Sequence, residues 1–523
     1  MIGVQTGARL TVHADMGRLF RDWLAGNEVL GAAGADLHRF VAAATTPAGS
    51  GPIWAADEWR QAWLQGFLPD LASDADRKQA RLDVEQLAAG QADAVITGQQ
   101  PGFLGGPLHT LYKIAAAVIL AELRTAAGRP TIPVFWSGDD DDDLREALQP
   151  VIWDPDRDIL LQHGDHGRRG LSSDRMVGDL PAAEIADGAA HWLAQMSDRN
   201  ELARDLAMIW RDGIASGDTW SRLQRRALLR VFREHRLLVI SGNDPLLHAA
   251  AGPFYSRLWQ ERSRLRDAVR SGARQLVAAG YETAVTEPSI QRFLHLGREG
   301  RRQPLAAEYA GRLPEPADLR PGVVARSPVQ DWLFRPAGVV VGPGEAAYLK
   351  QLEPLYAAFD LPRAPLLPRL FAQLGPAGQG AFRFWALDLA ERESPEDSVE
   401  LNAAAQRVTA LARNELLAVL RGPGGVQAAR LEELTSQVLR RWARYLTGVL
   451  QREQRRRRDE PGAGQPAWLR PNGRRQERAL AAFGAAALWG DELIAALAHA
   501  CRRYVDGGLD GDWREYLVTV PLP

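Results

Sequence analysis

An α/β fold built on a parallel sheet is predicted by three features of the chain. The first is a β-prone segment, Val95 to Thr97, that runs through a glycine-rich loop into an apolar helix reaching Leu123, with a compact apolar run from Thr131 to Trp136 beyond it. A strand, a helix of about a dozen residues or more and a second strand form a βαβ unit, whose crossover is right-handed and whose strands are parallel. The second feature is Leu237-Leu-Val-Ile-Ser241 and the third is Gly338-Val-Val-Val-Gly342. Both are short, continuous apolar runs of the kind a strand buried on both faces requires. Ligands of such sheets collect beyond the carboxyl ends of the strands.

The glycine-rich loop carries Gly98, Gly102, Gly105 and Gly106, and Pro107 suits the first turn of the helix it opens. Glycines alone fit any strand-to-helix connection. Four polar side chains, however, stand in or just after the loop: Gln99, Gln100, His109 and Lys113. His109 and Lys113 are four apart and share a helix face. With amides at the helix start turned toward a ligand, the stretch reads as a phosphate-loop shape. The strand at Gly338 likewise passes into Pro343-Gly-Glu-Ala-Ala-Tyr-Leu-Lys350, a second glycine turn with Glu345 in the first helical turn. Two such turns on one sheet edge imply a shared cleft that includes Gly342, Gly344 and Glu345.

After Trp136 come five consecutive carboxylates, Asp139 to Asp143. Such a run persists in a folded chain by exposure, by cations or by raised pKa values. It reads either as a solvated loop or as a site for a substrate ammonium or Mg²⁺.

The other elements follow in order. Residues 1 to about 90 read mainly as helices, with Trp54, Trp59 and Trp63 as packing residues. Residues 151–200 read as a turn-rich surface insertion; His163 and His166 lack a third metal ligand there, and no metal site is assigned. Ile290 to Leu296 reads as an edge or insertion strand. Leu431, Leu434, Val438, Trp442, Tyr445 and Val449 step by three and four, which predicts an antiparallel helical hairpin of coiled-coil type broken at Gly422 to Gly425. Trp468 to Pro523 reads as helical with a β-like tail that folds back on the core. The predicted organisation is thus a core over 1–385, a coiled-coil hairpin over 386–460 and a C-terminal segment over 461–523.

Composition excludes several classes. The formal charge of -2 argues against wholesale nucleic-acid binding. One cysteine, Cys501, excludes an internal disulfide framework and reads as a core residue. With no apolar run near the ~20 residues of a membrane span and no leader pattern, no membrane partner and a cytoplasmic location are expected.

Several motifs together resemble the bacillithiol-biosynthesis cysteine-adding enzyme family, the cysteine ligase BshC. They are Thr97-Gly-Gln-Gln-Pro-Gly-Phe-Leu-Gly-Gly-Pro-Leu-His-Thr-Leu-Tyr-Lys-Ile114, Ile132-Pro-Val-Phe-Trp136 with its acidic follow-on, Pro328-Val-Gln-Asp-Trp-Leu333 and Val341-Gly-Pro-Gly-Glu-Ala-Ala-Tyr348. Pro365-Leu-Leu-Pro-Arg369 and Gln476-Glu-Arg478 join them. The resemblance implies a Rossmann-like core of nucleotidyltransferase type, a coiled coil that supports a homodimer, and an amide-forming step that adds L-cysteine to glucosaminyl-malate.

Activating a carboxylate for that step admits a nucleotide (ATP or ADP) and Mg²⁺ as cofactors, with Gln476 and Arg478 as nucleotide-binding candidates. On this reading Lys113, His109 and Asp141 are catalytic. Gln99, Gln100, Gly102, Gly106, Asp140, Asp143, Gly342, Gly344 and Glu345 bind substrate. The family's common Glu-Asp-His-Asp becomes Asp140-Asp141-Asp142-Asp143 here, so Asp142 replaces an imidazole. That departure keeps a second reading open, a catalytically degenerate nucleotide-binding scaffold acting through its coiled coil.

Overall fold

A computed structural model describes residues 2–10, 16–27, 29–42, 51–162, 174–306, 309, 311–377 and 466–522. The chain divides into two compact units, one formed by 1–383 with 467–523 and the other by 384–466. The predicted coiled-coil hairpin, and His163 and His166, lie outside the described residues.

The strands are β1 (Gly3–Arg9), β2 (Asp93–Gln99), β3 (Thr131–Ser137), β4 (Val151–Asp154), β5 (Ile159–Gln162), β6 (Leu238–Ser241) and β7 (Leu294–Arg298). They continue with β8 (Arg301–Pro304), β9 (Leu319–Pro321), β10 (Gly338–Val341), β11 (Leu366–Pro368), β12 (Ala372–Pro376) and β13 (Arg514–Val520). The helices that bear on the site are α1 (His109–Ala126), α2 (Leu144–Ala147), α3 (Trp220–Val231), α4 (Val323–Phe334), α5 (Pro343–Gln351), α6 (Gln476–Ala479) and α7 (Asp491–Leu509).

The central sheet runs β11-β10-β2-β3-β6, parallel throughout. Counted along the chain from the β6 edge, its strands come third, second, first, fourth and fifth, the doubly wound order of a Rossmann-like domain. All seven residues of β3 are buried, as the unbroken apolar run requires of a strand covered on both faces. The order reverses between β2 and β10, the two strands that feed the two glycine turns. A crevice opens at that reversal because the connections leave toward opposite faces.

The expected strands at 95–97, 131–136, 237–241 and 338–342 are present. β1 was not expected in a region read as helical. It has no local partner and pairs instead with β13 at the far end of the chain, in the sheet β1-β13-β12. Residues 151–200 are also more than a surface insertion: β4 is fully buried and pairs with β5, and a helix spans Ala182–Met196. The strand expected near 290–296 is β7, the centre rather than the edge of an antiparallel sheet β8-β7-β9. Trp54, Trp59 and Trp63 are buried and packed on one another. Among the described residues no helix is long and apolar enough to cross a membrane.

Candidate functional site

A cavity of about 170 Å³ lies at the crevice between β2 and β10. Gln99 at the end of β2 and Gln100 just beyond it border the cavity, with Asp141 after β3, Arg326 and Asp331 on α4, and Glu345 and Tyr348 on α5. The glycine bend and the acidic run therefore share one hollow, together with the second glycine turn.

The bend itself is not an open cradle. Leu104, Gly105 and Gly106 take φ values of 44, 85 and 76°, a left-handed stretch that glycine tolerates and leucine adopts only under constraint. A Cβ on Gly105 would lie 2.8 Å from the Phe483 ring, and one on Gly102 would lie 2.6 Å from Gly106 Cα. The amides are already engaged. Gly102 N–H donates to Gln224 Oε1 on α3 at 3.1 Å, and Gly105 and Gly106 donate within their own turn. Leu108 N–H donates to Leu480 O at 2.7 Å, and Ala482 N–H to Gly106 O. The phosphate-loop expectation is corrected accordingly: Gly105 permits tight packing against Phe483 of the C-terminal segment, Gly102 and Gly106 pack on each other, and these four amides do not face a ligand.

What the bend positions is a pair of side chains. Lys113, 3 % exposed, donates from Nζ to Gly98 O (2.7 Å) and Gln99 Oε1 (3.2 Å) and pairs with Glu345 Oε2 at 2.7 Å. Glu345 Oε2 also accepts from Gly342 N–H at 2.9 Å, so it caps α5 and neutralises Lys113 at once. Gly344 has open space around it.

One turn earlier on α1, His109 Nδ1 lies 3.0 Å from the Glu477 carbonyl oxygen. Burial, then the Arg369 and Lys113 charges, lower its pKa well below the ordinary imidazole value. The ring is neutral, and because a carbonyl only accepts, Nδ1 carries the proton and Nε2 keeps its lone pair.

The C-terminal segment holds that carbonyl in place. Arg369, 2 % exposed, grips Glu477 with both guanidinium nitrogens (2.7 and 3.3 Å). Burial opposes ionisation of Glu477, but Arg369 and Arg475 outweigh it and hold its pKa well below the carboxylate range. Its neighbours differ. Gln476 is 1 % exposed and spends its amide on Leu374 N–H, Leu374 O and Trp468 O. It is a fastener, which corrects the nucleotide-binding expectation for that residue. Arg478 has no ion pair among the described residues, and its charge is felt by both His109 and Glu146.

The five aspartates have distinct partners. Asp139 is buried and accepts from Ser221 Oγ, Ser241 Oγ (2.7 Å) and Asn243 N–H (2.9 Å). Burial raises its pKa to about 7 against those bonds. Asp140 and Asp141 pair with Arg326 at 3.3 and 2.8 Å. Arg302, on β8, reaches Asp141 and Asp142 at 3.3 Å each. Burial disfavours the charge on Asp141, yet Arg326 and Arg302 hold its pKa well below the usual range. Asp143 caps α2 by accepting from Glu146 N–H at 2.8 Å.

The cations at Asp140 and Asp141 are thus the protein's own, and Asp143 is spent on the α2 cap, which corrects the expectation that these three stand ready for a ligand's ammonium. No group of three or more His, Cys, Asp or Glu is arranged for a metal among the described residues. Arg302 and Arg326 were not foreseen. Arg326 stands just ahead of the Pro328 to Leu333 motif, whereas Arg302 belongs to a hairpin whose position nothing local announces.

The family described as bacillithiol biosynthesis BshC, N-terminal Rossmann-like domain, matches residues 57–370. Relatives named "Putative cysteine ligase BshC" include those of Shouchella clausii, 27% identical over 57% of this chain and 58% of that one, and Koribacter versatilis, 29% identical over 57% of each. A third, of Staphylococcus haemolyticus, is 25% identical over 60% of this chain and 61% of its own. The chain spans less than two thirds of the length of these relatives.

Proposed function

The chain belongs to the BshC family of bacillithiol biosynthesis, and from that premise we propose that it is a cysteine ligase joining the carboxyl of L-cysteine to the amine of glucosaminyl-malate. The observation that carries this reading is the crevice at the strand-order reversal, where Gln99, Gln100, Asp141 and Glu345 line one cavity and the buried Lys113 ammonium is bonded to its lining through Gly98 O, Gln99 and Glu345. Amide formation needs an acceptor for the amine's proton and positive charge where the acyl oxygen becomes negative. His109 Nε2 supplies the acceptor, and Lys113 and Arg478 supply the charge. Gln99 and Gln100 orient the substrate; Gln100 Nε2 is buried and without a partner among the described residues.

A nucleotide, ATP or ADP, would supply the group that activates the cysteine carboxylate. Arg478 and Gln100 fit an acceptor-rich anion of that kind; the engaged amides of the bend do not. Asp140, Asp141 and Asp142, paired with Arg302 and Arg326, do not offer Mg²⁺ a free set of carboxylates. Homodimerisation through the expected coiled coil belongs to the same proposal.

The purified chain incubated with cysteine, glucosaminyl-malate and each nucleotide should yield a new thiol with the mass of the amide product. Lys113→Ala should lower that turnover at least ~100-fold, as loss of a charged transition-state partner does. The second reading, a nucleotide-binding scaffold without catalysis, draws on Asp142, which stands where the family commonly has an imidazole. Tight nucleotide binding without thiol product under every nucleotide would favour it.

A further inference from the structure

Four carboxylates line the cavity: Asp141, Glu146, Asp331 and Glu345. Three are committed. Asp141 is held by Arg326 and Arg302, Glu345 by Lys113 and Gly342 N–H, and Asp331 accepts from Tyr356 Oη at 3.0 Å. Glu146 has no ion pair and no side-chain hydrogen bond among the described residues. It lines the cavity from α2, whose first turn is fixed by the Asp143 cap.

We propose that Glu146 receives the primary ammonium of the sugar substrate, a role that rests on the ligase reading above. A cation brought to this point meets an anion that has no ion-pair partner among the described residues, so the contact is charge-assisted. The surroundings agree. Burial, then Asp143 and Asp141, raise the proton affinity of Glu146, while Lys113 and Arg478 lie close enough to oppose them. An ammonium relieves the crowding among the carboxylates.

The test is titration calorimetry of the full chain with glucosaminyl-malate and with its N-acetylated form, which has the same sugar and malate but no ammonium. The wild-type chain should bind the free amine at least about tenfold more tightly, the scale of one charge-assisted contact. Glu146→Gln should bind both forms alike, with affinity for the acetylated form unchanged. If Glu146→Gln keeps the full preference, Glu146 is an ordinary surface glutamate, and the ligase reading stands without it. If the wild-type chain binds neither sugar, both readings fall.

Discussion

Lys113 Nζ and Glu345 Oε2 lie 2.7 Å apart, and this contact ties the glycine turn after β2 to the one after β10 across the reversal of strand order. Glu345→Gln should leave the buried ammonium with neutral acceptors alone. Because Glu345 is partly exposed, the expected loss is roughly 2 kcal/mol of stability, read as a lower denaturation midpoint. An unchanged midpoint would show that Gly98 O and Gln99 suffice to hold Lys113.

Asp141 and Arg326 should behave as one unit. Asp141→Asn and Arg326→Gln should each lower turnover, and the double variant should be less impaired than the sum, with a coupling of at least about 1 kcal/mol. Strict additivity in that cycle would separate the two residues functionally, despite their 2.8 Å contact.

Asp139 makes stability depend on pH with a definite sign. Its pKa rises from an ordinary 3.8 to about 7 on folding, so between those values the folded chain binds more protons than the unfolded one. Its contribution to stability is present in full at the acid end of that window and is lost as pH climbs toward 7. Asp139→Asn, which cannot ionise, should flatten the part of the stability profile between about pH 4 and 7 that this group causes. A profile of unchanged slope would mean that Asp139 is already charged in the folded chain.

Gly105→Ala should cost at least about 1–2 kcal/mol for the left-handed backbone alone, plus the clash with Phe483. Trimming the ring in Gly105→Ala/Phe483→Leu should recover only the second part. Full recovery would mean the backbone accepts a side chain there, against its φ of 85°.

Much of this site was legible from sequence. The runs at 95–97, 131–136 and 338–342 are continuous and apolar because both their faces are covered, and that pattern alone places two loops on one edge. Lys113 and Glu345 were readable as residues close to those loops from the helices that follow them. Their contact with each other was not, because it depends on which strands become neighbours. The acidic run misled for the same reason. Its counter-charges, Arg302 and Arg326, arrive from distant elements, so the sequence exposes the carboxylates and hides what neutralises them. The glycine bend shows a related failure: glycines that admit a phosphate and glycines that admit Phe483 look alike in one dimension.

The seam between Leu108 and Leu480 also sets a timetable. A ribosome delivers this chain from one end, so the bend emerges early and stays unsealed until the closing segment has left the exit tunnel. Over that interval Gly105 lacks the ring that covers it and His109 lacks the carbonyl that fixes its proton. The nascent protein carries this cleft uncovered until its closing segment arrives.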